Sequence, residues 1–332
     1  MKVLFIGGTG IISTAVSALA VERAFDLTLF NRGQHSKFAP KGATVIKGDV
    51  RDKSAMAELL KDKSFDVVVD WLAFAPKDVE ADIEIFKGKV KQYIFISTAS
   101  AYQKPPEHWL IDESTPLANP YWKYSSDKIA CEEMLMAEYR SSGFPVTIVR
   151  PSFTYGDTMI PAAINSWAKP WTIVDRMRKG KKIVIHGDGT TLWTMTHNTD
   201  FAKGFVGLLG NVQAVGDAFG ITSDEVLTWR QIYKAIADAA GAEMNAVYIP
   251  SDFIAKINPE YEGILLGDKS WCGVFDNSKI KRFVPDFVAT VPFAQGIKRT
   301  IEWFDVEPKR CIVDDEFNQF MDRLIAAYEN RR

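Results

Sequence analysis

Two side chains in this 332-residue sequence have the types and spacing of an acid–base pair. Tyr124 and Lys128 stand four apart in a stretch of helical character, so both project from one face, a turn from each other. A phenol ionises near pH 10 in water. An adjacent ammonium would favour the phenolate and bring it toward general-base strength at neutral pH. Of the ten tyrosines, only Tyr124 is followed by lysine at that spacing. The stretch comes after a strand ending in Ser97-Thr98. The Thr98 hydroxyl there either shares a substrate oxygen with Tyr124 or simply turns the strand end.

A place for a dinucleotide is marked at Gly7-Gly8-Thr9-Gly10-Ile11-Ile12-Ser13. The apolar run Val3-Leu4-Phe5-Ile6 stops at two glycines and a helix-compatible segment follows at once, which reads as strand, tight turn, helix. The N–H groups opening such a helix point at an incoming pyrophosphate, with the positive end of the helix dipole behind them. Ser13 stands where a third glycine would let helix and strand pack closely, and serine is small enough for that packing to survive. The next strand ends in Asn31-Arg32-Gly33. An acid for the ribose hydroxyls is missing there and a cation follows, which favours NADP over NAD. In Lys47-Gly48-Asp49-Val50, Asp49 either accepts from an adenine amine or caps a helix starting near Ser54. Residues 65–72 are nearly all apolar, as in a central parallel strand. They end at Leu72-Ala73-Phe74-Ala75-Pro76, where small residues leave room for a cofactor.

The elements that position these residues alternate between strands and helical stretches over the first 150 residues, which predicts an α/β fold with a doubly wound parallel sheet. Ligands in such sheets bind beyond the strands' carboxyl ends, where every motif above lies. The composition, 47% hydrophobic and 25% charged, is that of an ordinary globular protein. A net charge of −2 supplies no field to recruit nucleic acid or an anionic membrane. Residues 3–21 carry no charge, but glycines in their first half and the lack of a stop-transfer flank speak against membrane insertion. Cys131, Cys272 and Cys311 are odd in number and far apart, so a reducing, cytoplasmic setting is expected. The four histidines have no cysteine at ligand spacing, so no metal site is expected.

The sequence resembles the extended short-chain dehydrogenase/reductases of the NAD(P)-dependent epimerase/dehydratase type. The resemblance rests on Gly-Gly-Thr-Gly-Ile-Ile at 7–12, Gly-Asp-Val-Arg-Asp at 48–52, Ser-Thr-Ala-Ser-Ala-Tyr at 97–102 and Tyr-Ser-Ser-Asp-Lys at 124–128. It continues through Arg-Pro-Ser-Phe-Thr-Tyr-Gly at 150–156, His-Gly-Asp-Gly at 186–189 and His-Asn-Thr-Asp at 197–200, and covers residues 1 to about 210. It implies a Rossmann domain, a Thr98, Tyr124, Lys128 triad, nicotinamide contacts at Pro151 and Phe153, and a smaller α+β substrate domain at the end of the chain. Residues 1–156 are assigned to the dinucleotide domain, with 187–220 returning to it, and 157–186 and 221–332 to the substrate domain. Tyr124 would exchange a proton with a secondary alcohol or ketone, Lys128 would bind the ribose and Thr98 would orient the substrate oxygen. The expected activity is NAD(P)-dependent hydride transfer, as oxidoreductase or epimerase, with a sugar or sugar nucleotide as the family's default substrate. A homodimer through two helices is the family's habit.

Departures from the pattern sharpen this reading. Ala99 and Ser100 stand where sugar-nucleotide 4,6-dehydratases carry Asp-Glu, which speaks against water elimination. Trp193 replaces an arginine that often grips a nucleotide's phosphate, and either stacks on a ring or fills the core. Ser100, Trp193 and Arg176 are therefore the substrate-facing candidates, with the Trp-bearing runs at 163–171 and 269–271 as cleft walls or core. A competing class is a binding protein. The chloroplast stem-loop RNA-binding proteins share the Gly-Gly-Thr-Gly-Ile-Ile start and the Asn-Arg-Gly strand end, and regulatory members of the fold sense NADP. The Tyr124/Lys128 pair and the absence of basic charge favour the enzyme.

Overall fold

The computed structural model describes residues 1–331. Seven parallel strands make the central sheet: β1 (Lys2–Ile6), β2 (Asp26–Asn31), β3 (Thr44–Lys47), β4 (Val67–Asp70), β5 (Gln92–Ile96), β6 (Val146–Pro151) and β7 (Ala218–Ile221). Their spatial order is β3-β2-β1-β4-β5-β6-β7, so the winding reverses between β1 and β4 and opens a crevice there. Every residue of β4 and β5 is buried, because helices cover both faces of the sheet.

Four helices follow the strands of the first half: α1 (Ile11–Glu22), α2 (Lys53–Leu60), α3 (Pro76–Phe86) and α4 (Lys123–Ser142). After them come α5 (Thr172–Arg178), α6 (Asn198–Leu208) and α7 (Trp229–Ala239). On one face, Phe5, Leu29, Val69 and Ile94 pack with Phe201 and Phe205 of α6 and Val16 of α1. On the other, Leu4, Val68, Tyr93 and Phe95 pack with Val79 of α3 and Cys131 and Leu135 of α4. Alternation along each strand divides its side chains between the two cores. Thus α6 and β7 return to the first layer after an excursion through α5.

A separate core gathers the rest of the second half, from Tyr155 through Trp229 and Phe293 to Ile325. It is enclosed by α5, α7, α8 (Phe293–Asp305) and α9 (Asp315–Glu329), with Ile183–His186 paired in parallel to Ala246–Ile249. Among the described residues no helix is long and apolar enough to cross a membrane.

Local chemistry shifts some expected boundaries. Strand β4 stops at Asp70 because its carboxylate accepts from the N–H groups of Leu72 and Ala73, at 2.6 and 3.0 Å, and turns the chain there. Asp200 lies inside the first turn of α6, whose N-cap is His197. It accepts instead from the N–H groups of Thr290 and Val291, at 3.0 and 2.8 Å, tying a distant loop to the helix.

Candidate active site

The turn after β1 requires glycine. Gly7 and Gly8 have φ of +105° and +94°, where side chains are strained, and a Cβ on Gly8 would lie 2.6 Å from Leu29 Cδ2. Ser13 is 3% exposed and its Oγ accepts from Gly10 N–H at 2.9 Å. Ser17 Oγ donates to Gly8 O at 2.8 Å. Two small hydroxyls thus lock turn to helix where a third glycine would only make room. No side chain caps α1, so N–H groups of its first turn remain available to a phosphate.

A cleft of about 1200 Å³ runs from this turn across the strand ends. Thr9, Gly10, Ile11, Ile12, Asn31, Arg32, Asp49, Val50, Leu72, Phe74 and Pro151 line it with Gly7, Tyr124 and Lys128. This size and the open glycine turn fit a dinucleotide. Asn31 is a positioning residue, donating to Gly7 O at 3.4 Å and accepting from Gly33 N–H at 2.8 Å. Arg32 is exposed at the rim. Asp49 does not cap α2. That role falls to Asp52, which accepts from Ala55 N–H at 2.9 Å, whereas Asp49 accepts from the Arg51 guanidinium, whose hydrogen bonds hold its carboxyl well below the usual carboxylate range. Ala73 does not line the cleft: it is 1% exposed, and it takes part through its carbonyl.

That carbonyl holds Lys128. The buried ammonium donates to Ala73 O at 2.6 Å and to Ile96 O at 2.7 Å, joining the ends of β4 and β5 and leaving one N–H free. Burial lowers its pKa to about 8. Nζ lies 5.9 Å from the centre of the Tyr124 ring, and burial raises the Tyr124 pKa, offset in part by the Thr98 hydroxyl. The Lys128 ammonium is turned onto these main-chain carbonyls and not onto the phenol oxygen. Thr98 Oγ1 is 2.9 Å from Ser100 Oγ, which is 2.8 Å from Ser125 Oγ, forming a chain of hydroxyls beside the phenol.

Tyr124 and Pro151 also line a second chamber of about 310 Å³, together with Thr98, Ser100 and Trp193. Phe153 belongs here and not to the dinucleotide cleft, its ring 5.8 Å from that of Trp167. Trp193 both lines the chamber and packs on Trp229, with ring centres 5.3 Å apart. Arg176 is elsewhere. It is 1% exposed and donates to Lys182 O, to Asn318 and to Asp322, so it docks α9 and does not face the chamber. Of the tryptophan-bearing runs, Trp167 lines the chamber and Trp171 is in the core. Lys269, from the run 269–271, lines the chamber beside Asp268, and neither charge was marked by the sequence. Lying 140 and more residues beyond Tyr124, they offered no local spacing to mark them.

The NAD dependent epimerase/dehydratase family model matches residues 3–221. Over 274 residues the chain is 28% identical to the chloroplast stem-loop binding protein of 41 kDa b of Arabidopsis thaliana, covering 78% of this chain and 66% of that one. Over 288 residues it is 24% identical to the 2'-dehydrokanamycin reductase of Streptomyces kanamyceticus, covering 86% and 80%. The solved structure of UDP-glucose 4-epimerase from Bifidobacterium longum in complex with NAD+ and UDP shares the fold. It has a TM-score of 0.75 at 18% identity and covers 93% of this chain and 100% of that one.

Proposed function

Since the chain belongs to the NAD dependent epimerase/dehydratase family, we propose that it transfers hydride between a nicotinamide dinucleotide and a secondary alcohol or ketone carbon of a sugar-like substrate. The observation that carries this reading is the position of Tyr124, the one titratable side chain shared by the dinucleotide cleft and the smaller chamber, with Lys128 one turn behind it. The nicotinamide supplies the hydride acceptor or donor when bound.

The chain's own residues supply the rest. Tyr124 Oη gives its proton to a carbonyl oxygen being reduced, or takes one from an alcohol being oxidised. The Thr98 hydroxyl fixes that oxygen, itself steadied by Ser100 and Ser125. Lys128 spans the strand ends at the nicotinamide end of the cleft and keeps one N–H for a ribose hydroxyl. Ala99 and Ser100 offer no carboxyl for water elimination, which favours reduction or epimerisation over dehydration. At the adenosine end, exposed Arg32 and the lack of an acid on Asn31-Arg32-Gly33 support NADP as the preferred cofactor.

Tyr124→Phe is the direct test. Cofactor affinity should be retained while turnover of a ketone falls by two or more orders of magnitude, the scale of losing an acid–base group; unchanged turnover would sink the assignment. The relative named for stem-loop binding brings RNA binding as a second reading. With a net charge of −2 the chain has little to offer a phosphate backbone, and salt-sensitive retention of a stem-loop RNA would favour that reading.

A further inference from the structure

Lys269 is 4% exposed, yet it lines the smaller chamber. Its Nζ lies 3.1 Å from Asp268 Oδ2 and 5.1, 5.8 and 6.0 Å from the ring centres of Phe153, Trp193 and Trp122. Its position is fixed from behind. The Lys269 carbonyl accepts from His186 Nε2–H at 2.9 Å, and burial lowers the His186 pKa to about 4, keeping the imidazole neutral. The residue ends a π-helical segment, Glu262–Lys269, a geometry often found at functional sites.

The chamber's charge and its aromatic walls indicate what it holds. Among the described residues, Asp268 and Lys269 are its only charged lining, with no arginine. Lys104 is also buried, and burial lowers its pKa, countered by the charge of Asp268. A nucleoside diphosphate would meet a carboxylate, a lysine already paired and no guanidinium fork, which is a poor site for two phosphates.

We propose that this chamber binds an uncharged, polyhydroxylated ring that carries no nucleoside diphosphate, with Lys269 and Asp268 as its specificity pair. The ammonium donates to one hydroxyl oxygen and the carboxylate accepts from the neighbouring hydroxyl. The aromatic walls cover the ring's C–H faces. About 310 Å³ is at the lower end of the ~300–1,000 Å³ of small-molecule pockets, enough for a compact ring. The inference rests on the hydride-transfer reading above and narrows its substrate.

The test uses the intact 332-residue chain loaded with NADPH. Oxidation of NADPH is followed with a panel of unphosphorylated keto-sugars and keto-cyclitols and with a UDP-linked 4-keto sugar, with UDP as a competitor. An unphosphorylated ketone should be reduced, and millimolar UDP should not inhibit. Lys269→Met and Asp268→Asn should each raise KM by about tenfold or more, the scale of one hydrogen bond to a charged group, with kcat changed less and NADPH affinity unchanged. Trp193→Phe gives a second, milder variant should the lysine change prevent folding, and its smaller ring, covering less of the ligand's C–H face, should raise KM severalfold. Reduction of the UDP-linked ketone alone, micromolar binding of UDP, or an unchanged KM in these variants would overturn the proposal while leaving hydride transfer standing. If no ketone of either kind is reduced, both fall.

Discussion

Replacing Lys128 by methionine separates its structural cost from its chemical role. Methionine keeps most of the stem but removes the donors that reach Ala73 O and Ile96 O. Two buried carbonyls left unpaired cost about 1–3 kcal/mol each. Against this, the ammonium is itself held unfavourably. Its pKa of about 8, against 10.5 for a lysine in water, means that the folded state disfavours the charged form, by about 3 kcal/mol at pH 7 at 1.36 kcal/mol per unit. The variant should therefore lose at most about 3 kcal/mol at pH 7, although two hydrogen bonds are gone. The sign of the linkage follows from the depressed folded pKa. Between about 8 and 10.5 the unfolded chain binds the proton and the folded chain does not, so wild-type stability rises with pH through that window. The methionine variant lacks this contribution. Urea denaturation of both proteins from pH 7 to pH 10 should show the wild-type advantage growing by about 2 kcal/mol, while the charges common to both cancel. An advantage that stays constant with pH would refute the desolvated ammonium, and one that shrinks would reverse the argument.

Other outcomes follow from single contacts. Gly8→Ala puts a Cβ at φ +94° and 2.6 Å from Leu29 Cδ2, so thermal melting should report a loss of about 1–3 kcal/mol and dinucleotide titration a weaker Kd. Arg32→Asp replaces the exposed cation by an acid where the adenosine ribose would lie. The ratio of NADP to NAD affinity should fall by about tenfold or more, and an unchanged ratio would remove Arg32 from cofactor selection. Arg176→Met undocks α9 from Lys182 O, Asn318 and Asp322 and should cost about 2 kcal/mol in denaturant melts. KM should not move, since Arg176 lines neither cavity.

The dinucleotide half was legible because each of its signals is local. A glycine pair needing positive φ, an apolar run buried on both faces and a Tyr-x-x-x-Lys on one helix face are all set by neighbours within a few residues. What could not be read was set by partners far along the chain. Arg176 looks like a free cation until Asn318 and Asp322 come back to meet it. The helix starts at Lys53, so Asp52 and not Asp49 is its cap, and Arg51 engages Asp49 instead. Phe153 lies two residues beyond Pro151, and that step carries it from the wider cleft into the smaller chamber. Ala73 contributes a main-chain carbonyl, which any residue type could supply, so no side-chain pattern could mark that contact. Where the Lys128 donors turn could not be read either, since helical spacing fixes only that Lys128 and Tyr124 share a face.

The central claim is most directly tested by isothermal titration of the purified protein with NAD, NADH, NADP and NADPH, after absorbance and mass spectrometry have shown whether cofactor is carried through purification. The account predicts one dinucleotide site per chain, tighter for the NADP pair and weakened in Gly8→Ala. If none of the four binds, the glycine turn after β1 is only a turn, and the roles given to Tyr124, Lys128 and Thr98 fall with it.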